Sequence, residues 1–189
     1  RPAHQHMAPA RPRSTLMPQP GRALERVTRL REGGREREGL VGLDRNERLS
    51  PLPDAVVEEI REAIDSTLLT HYPSLDRLYD DLADGLGVER DRLLLTAGSD
   101  AAVKALYQVY SSPGAEAVML DPSYAMYPIY AGMFGVEPRQ LAFAPDLTFD
   151  ADALLARIGP ATRLVFIANP NQPTGTVLED DVLEALIRR

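Results

Sequence analysis

The chain has 189 residues, with 21 basic against 28 acidic side chains, a net charge of −7, 44% hydrophobic and 26% charged residues. That length holds one domain, or one and part of a second, and its acidic balance argues against broad nucleic-acid binding. Cysteine is absent, which excludes disulfides, thiolate metal sites and a cysteine nucleophile. The three histidines (His4, His6, His71) are too few for a histidine-rich metal centre, and no run of 18 apolar residues is present to span a membrane as a helix.

Residues 1–38 differ from the rest. They hold nine arginines and four glutamates, a net +5 that leaves −12 for residues 39–189, and five of the 16 prolines fall in the first 20 positions. Such a stretch cannot bury a core and reads as a disordered, solvated arm, with one short helix through Leu24, Val27 and Leu30 before Gly33-Gly34. Residues 39–70 read as an N-terminal segment and helix, with Val56, Val57, Ile60, Ile64 and Leu68 on one face of a single helix over 54–68.

From residue 71 the spacing predicts alternating helices and strands, read as part of a sheet domain. Ser74 caps a helix with the stripe Leu75, Leu78, Tyr79, Leu82 and Leu86, stopped by Gly87. Arg92–Thr96 is an apolar run read as a strand, followed by a helix through Val103, Tyr107 and Tyr110. Ala117–Leu120 is a strand, Tyr127–Phe134 a helix, 137–143 a strand, Asp150–Ile158 a helix and Arg163–Ala168 a strand. The last segment, 178–189, opens an amphipathic helix with Val182, Leu183, Leu186 and Ile187 inward, and ends without a stop signal, as a truncated domain would. Short continuous apolar strands alternating with helices imply a mostly parallel sheet covered on both faces, a three-layer α/β/α arrangement. Ligands bind such sheets at the carboxyl ends of the strands.

Three segments therefore carry the chemistry. Gly98-Ser99-Asp100 opens a helix, where free N–H groups and the helix dipole favour an anion, although the same residues also make an ordinary turn and cap. Asp121-Pro122-Ser123-Tyr124 ends a strand, and its tyrosine either stacks on a flat ligand ring or packs between helix and sheet. Asn169-Pro170-Asn171-Gln172-Pro173-Thr174-Gly175 is a rigid loop that presents the Asn169 amide at a strand end, suited to a ligand oxygen. Lys104 is the one lysine, so any chemistry needing a lysine amine in this chain would have to use it.

This heptad, together with Leu43-Asp44-Arg45-Asn46-Glu47, His71-Tyr72-Pro73, Gly98-Ser99-Asp100 and Pro122-Ser123-Tyr124-Ala125-Met126-Tyr127, resembles the fold-type I pyridoxal-phosphate (PLP) enzymes of aminotransferase class I/II. The order of the motifs is most similar to the histidinol-phosphate aminotransferase branch, over about residues 40–189, its N-terminal half. The resemblance implies a cytoplasmic homodimer of amino-acid biosynthesis that moves an amino group between an amino acid and a 2-oxo acid. It implies that Gly98, Ser99 and Asp100 cradle the PLP phosphate, Tyr124 stacks on the pyridine ring and Asn169 bonds the cofactor's phenolic oxygen. Tyr72 would reach the cofactor of the partner subunit, and Asn46 and Glu47 would sit on a segment closing over the substrate.

In that family the lysine that carries PLP as a Schiff base, the aspartate on the pyridine nitrogen and the arginine for the substrate carboxylate follow the Asn-Pro loop. Lys104, one and a half turns into its helix, is expected to be a solvated surface residue and not that lysine. No catalytic residue or metal ligand is therefore assigned within these 189 positions. Two departures stand out. Arg48-Leu49-Ser50-Pro51 follows Asn46-Glu47 where the family usually has Asn-Pro, which leaves the substrate open, and Gln172 replaces the commoner Asn. The alternatives are a PLP-dependent decarboxylase or lyase on the same fold, and a truncated product without activity.

Overall fold

The computed structural model describes Leu24 and residues 48–188. The expected arm over 1–38 with its short helix, and Asn46 and Glu47, lie outside the described residues, Leu24 apart. The chain divides into two compact units between Thr96 and Ala97. Residues 71–96, expected with the large domain, cluster with the segment before them.

The first unit is helical. Asp54–Ala63 (α1) and Ser66–Thr70 (α2) replace the single helix expected over 54–68. The break has a local cause: the Asp65 carboxylate accepts the Leu68 N–H at 2.7 Å and starts a new helix. Aspartate at an N-cap satisfies a first-turn donor that a continuous helix would leave to the backbone. Asp76–Leu86 (α3) is stopped, as expected, by Gly87 at φ +65°. Ser74 receives the Asp76 N–H at 3.3 Å and donates to its carboxylate at 2.9 Å, one position outside the true N-cap.

A 3-10 turn at Arg90–Arg92 follows, and residues 93–96 form no strand. The Leu95 N–H, which a strand would give to a neighbour, goes to the Tyr79 hydroxyl at 3.0 Å. Arg90 ties the turn to α3: it pairs with Asp76 and with Asp80 (2.9 Å) and lies over the Tyr79 ring at 5.6 Å. Ala83 is the one buried apolar residue described here, so Val56, Ile60, Ile64, Leu68, Leu75, Leu78 and Leu86 remain exposed instead of facing a core.

The second unit is the layered one. Its elements are α4 (Gly98–Tyr110), β1 (Glu116–Asp121), α5 (Met126–Phe134), β2 (Glu137–Ala142), α6 (Ala151–Leu155), β3 (Thr162–Phe166) and α7 (Asp180–Arg188). The strands form a parallel sheet in the order β2-β1-β3. β1 lies between the other two and is buried from Ala117 to Leu120, so it reads as a continuous apolar run.

Alternate β1 side chains feed two cores. Ala117 and Met119 pack with Val103 and Tyr107 of α4, Tyr130 and Ala131 of α5, and Phe166 of β3. Val118 and Leu120 pack on the other face with Leu141, Leu154 and Leu178, backed by Val182 and Leu186 of α7. The three layers follow from this alternation. Each large side chain so buried contributes about 1.5–3 kcal/mol. Among the described residues no helix is long and apolar enough to cross a membrane.

Candidate functional site

The segment after β1 meets the segment after β3 through one side chain. Asn171 is 2% exposed and is the buried polar residue of the described chain. Its Oδ1 accepts the Ser123 hydroxyl at 2.7 Å, and its Nδ2 donates to the Pro122 carbonyl at 3.0 Å and to Thr174 Oγ1 at 2.9 Å. Its backbone closes the loop: Asn171 N–H donates to Thr176 O at 2.8 Å, and Gly175 N–H to Asn171 O at 2.7 Å. Gly175 sits at φ +73°, a conformation that costs glycine little and other residues more. The peptide bonds before Pro122, Pro170 and Pro173 are cis.

Asn169 stands at the mouth of this loop and is exposed. Its Oδ1 accepts the Leu178 N–H at 3.1 Å, which fixes the amide and leaves Nδ2 as a donor with no protein partner among the described residues. The fixed end is the oxygen, so the group offered outward is the one that suits a ligand oxygen.

The first turn of α4 joins the same place from the other side. Gly98 is at φ +77°, as the expected tight turn requires. Helix first-turn N–H groups lack intrahelical acceptors, and their dipole end favours an anion. Ser99 is exposed there. The Asp100 side chain, by contrast, faces two tyrosines: Tyr124 donates to Oδ1 at 3.1 Å and Tyr130 to Oδ2 at 2.7 Å. An ionised carboxylate only accepts, so what Asp100 offers an anion is its backbone N–H.

Tyr124 is half-buried and meets Tyr127 edge to face, centroids 5.5 Å apart. Burial, with the Asp100 hydrogen bond second, raises its hydroxyl above the usual tyrosine range. The Asp100 hydrogen bond, with burial second, pushes Tyr130 up to about 12. Both hydroxyls therefore keep their protons at neutral pH and act as donors.

Of the residues singled out by sequence, the second unit brings Gly98, Ser99, Asp100, Tyr124 and Asn169 to the ends of α4, β1 and β3. Tyr72 belongs to the first unit, in the coil after α2, and is fully exposed. Lys104 is exposed on α4. Sequence reasoning missed Asn171 as the hub, with Ser123 and Thr174 as its partners, and Tyr130 as a partner of Asp100. The signal for Asn171 was present, because a turn alone explains Asn169-Pro170 but not the whole heptad.

A family model described as aminotransferase class I and II matches residues 38–189. The chain is 36% identical over 183 residues to a histidinol-phosphate aminotransferase of Paracoccus denitrificans, covering 93% of this chain and 48% of that protein. It is 35% identical over 173 residues to the enzyme of the same name from Moorella thermoacetica, covering 90% and 43%. Among solved structures it is similar to Sinorhizobium meliloti histidinol-phosphate aminotransferase in complex with pyridoxal-5'-phosphate, with TM-score 0.64, 25% identity, and 73% of this chain and 37% of that one covered. A tetra mutant of Thermus thermophilus aspartate aminotransferase superposes with TM-score 0.74 at 27% identity, over 91% of this chain and 47% of that one. The chain thus spans about half the length of the curated relatives it matches. The expected α/β fold of the fold-type I enzymes holds in the parallel sheet and its two helical layers. Together these matches and the layered sheet establish that the chain belongs to the class I and II aminotransferase family.

Proposed function

We propose that this chain supplies one wall of a PLP site in an enzyme that moves an amino group between an amino acid and a 2-oxo acid. The carrying observation is the stitching of three segments at one place: Asp100 to Tyr124 joins α4 to the β1 end, and Asn171 to Ser123 joins the β3 end to it. The residues present fit the cofactor by their chemistry. The first-turn amides of Ser99 and Asp100 and the Ser99 hydroxyl are donors for a phosphate, the Tyr124 ring is a flat apolar surface for a pyridine, and the Asn169 Nδ2 is a donor for a phenolic oxygen. When bound, the cofactor supplies an electron sink for bonds to the amino-bearing carbon. The protein's part is to hold it flat, anchored and screened from water.

The amino substrate in this reading is histidinol phosphate or a related amine, after the names of the relatives. Asn46 and Glu47, outside the described residues, are assigned to substrate in this reading. Tyr72 serves the partner's cofactor in a cytoplasmic homodimer, and the exposed apolar stripes of α1 to α3 support such pairing. The lysine that binds the cofactor covalently is assigned outside these 189 positions, because Lys104 is exposed on α4. In this reading the chain comprises a 1–38 arm, a 39–70 segment and a partial large domain over 71–189, of which residues 71–96 cluster with the segment before them.

The test is PLP uptake by the full natural chain, read from cofactor absorbance, followed by amino-donor screening against 2-oxo acids. We expect PLP binding that Asn169→Ala weakens roughly threefold to tenfold, the loss of one hydrogen bond. A full chain that takes up no PLP, or an Asn169→Ala variant that binds it unchanged, overturns the proposal.

A further inference from the structure

We propose that the Asp100 carboxylate is a positioning residue which holds the ring of Tyr124 in place by bracing it, through a shared pair of hydrogen bonds, against the buried Tyr130. This rests on the PLP reading above and deepens it: Asp100 acts on the cofactor through Tyr124 and not by touching the phosphate.

The argument begins with an electrostatic conflict. Asp100 is the third residue of α4, beside the amides assigned to a dianionic phosphate. A bare carboxylate there would repel that phosphate, since like charges within a few ångströms disfavour each other. The structure resolves the conflict by giving each carboxylate oxygen its own O–H donor, Tyr124 on Oδ1 and Tyr130 on Oδ2. Charge-assisted hydrogen bonds of this kind are about twice as strong as neutral ones.

The two tyrosines differ in how firmly they are held. Tyr130 is 6% exposed, belongs to the α4–α5 core and lies 6.4 Å from the Tyr107 ring. Tyr107 is itself fully buried, stacks on Phe134 and Phe166, and donates to Tyr127 O at 3.0 Å. Tyr124 precedes α5 and is only half-buried, with the edge-to-face contact to Tyr127 as its ring neighbour. Rigidity therefore runs from the Tyr107 core to Tyr130, across the carboxylate, and out to the hydroxyl of Tyr124. A stacking ring fixed at both ends loses less freedom when the cofactor arrives, so the clamp raises affinity by preorganisation.

The experiment uses the full natural chain in wild-type form and as Tyr130→Phe, Asp100→Asn and the double variant. Tyr130→Phe keeps the core ring and deletes one donor, so it folds; Asp100→Asn keeps shape but cannot accept from both hydroxyls through oxygen. Two readouts are taken. In the cofactor-free protein, acetylation of the Tyr124 hydroxyl by N-acetylimidazole is followed by mass spectrometry, and is expected to rise severalfold in each single variant. In the presence of PLP, the dissociation constant and the circular dichroism induced in the cofactor band are measured. Each single variant is expected to weaken PLP binding about fivefold to tenfold and reduce the induced signal, with the double variant no worse than Asp100→Asn because the groups act as one unit.

Unchanged Tyr124 labelling in Tyr130→Phe overturns the clamp. Altered labelling with unchanged PLP affinity and induced signal overturns its role toward the cofactor, as do effects that simply add. A wild-type chain that binds no PLP refutes the preceding proposal and the cofactor role of this clamp, whereas the labelling result judges the clamp by itself.

Discussion

Replacing Asn171 by alanine removes three side-chain hydrogen bonds from a residue that is 2% exposed. At roughly 1 kcal/mol each the loss is about 3 kcal/mol, and the range widens to about 2–4 kcal/mol because the Pro122 carbonyl loses a partner while the Ser123 and Thr174 hydroxyls can turn elsewhere. Asn171→Asp separates the donors from the shape. It keeps an acceptor for Ser123 but sets carboxylate oxygen against the Pro122 carbonyl, so at neutral pH it should cost at least as much as alanine and recover as the pH falls and the acid protonates. Ser123→Ala, which removes one bond, should cost about a third as much. The assay is urea unfolding of the full natural chain by far-ultraviolet circular dichroism, read as the shift in midpoint. A loss below about 1 kcal/mol for Asn171→Ala would refute the reasoning, since it would mean that water replaces the hub at no cost.

Gly175→Ala meets no atom within 4 Å of the new Cβ, so its penalty is conformational alone, about 1 kcal/mol from φ +73°; Gly175→Asn should recover part of it, as the same midpoints will show. Tyr130 has its folded pKa raised from 10.0 to about 12, so its contribution is fully present below pH 10 and is lost as the pH climbs through 10 to 12. Alkaline unfolding should therefore be less steep in Tyr130→Phe, and an identical pH profile counts against the Asp100 contact. Asp65→Ala deletes the cap between α1 and α2 and should cost about 1 kcal/mol with a small loss of helical ellipticity, whereas Asp65→Ser should lose only a fraction of that.

The layered unit was legible because each of its signals is local. The apolar run 117–120 needed burial on both faces to make sense, and the alternation of types dictated a parallel sheet, although the helix expected over 150–158 ends at Leu155. What escaped was competition between local options. At 54–68 the apolar spacing pointed to one helix, but Asp65 followed by Ser66 and Thr67 is a strong cap, and the cap won. At 92–96 three leucines read as a strand, but strandhood belongs to a pair, and the available acceptor was a tyrosine hydroxyl. The site divided along the same line. Asn169 and Tyr124 were visible from their places at strand ends, whereas the Asn171 hub and the aim of the Asp100 carboxylate depend on residues 48 and 30 positions away.

The strand order couples the two halves of the site. Glu116 pairs with Glu137 on one side and Thr162 on the other, so β1 reaches β2 across the short α5 connection and β3 only across a longer one. Short-range closure precedes long-range closure because loop entropy grows with separation. The core behind Tyr130 also draws on β3, because Tyr107 stacks on Phe166. The Asn-Pro loop that β3 carries latches onto Pro122 and Ser123. Docking of β3 thus completes the aromatic stack behind the Asp100 pair and delivers Asn169 in the same step, so the two halves of the site are expected to become ordered together.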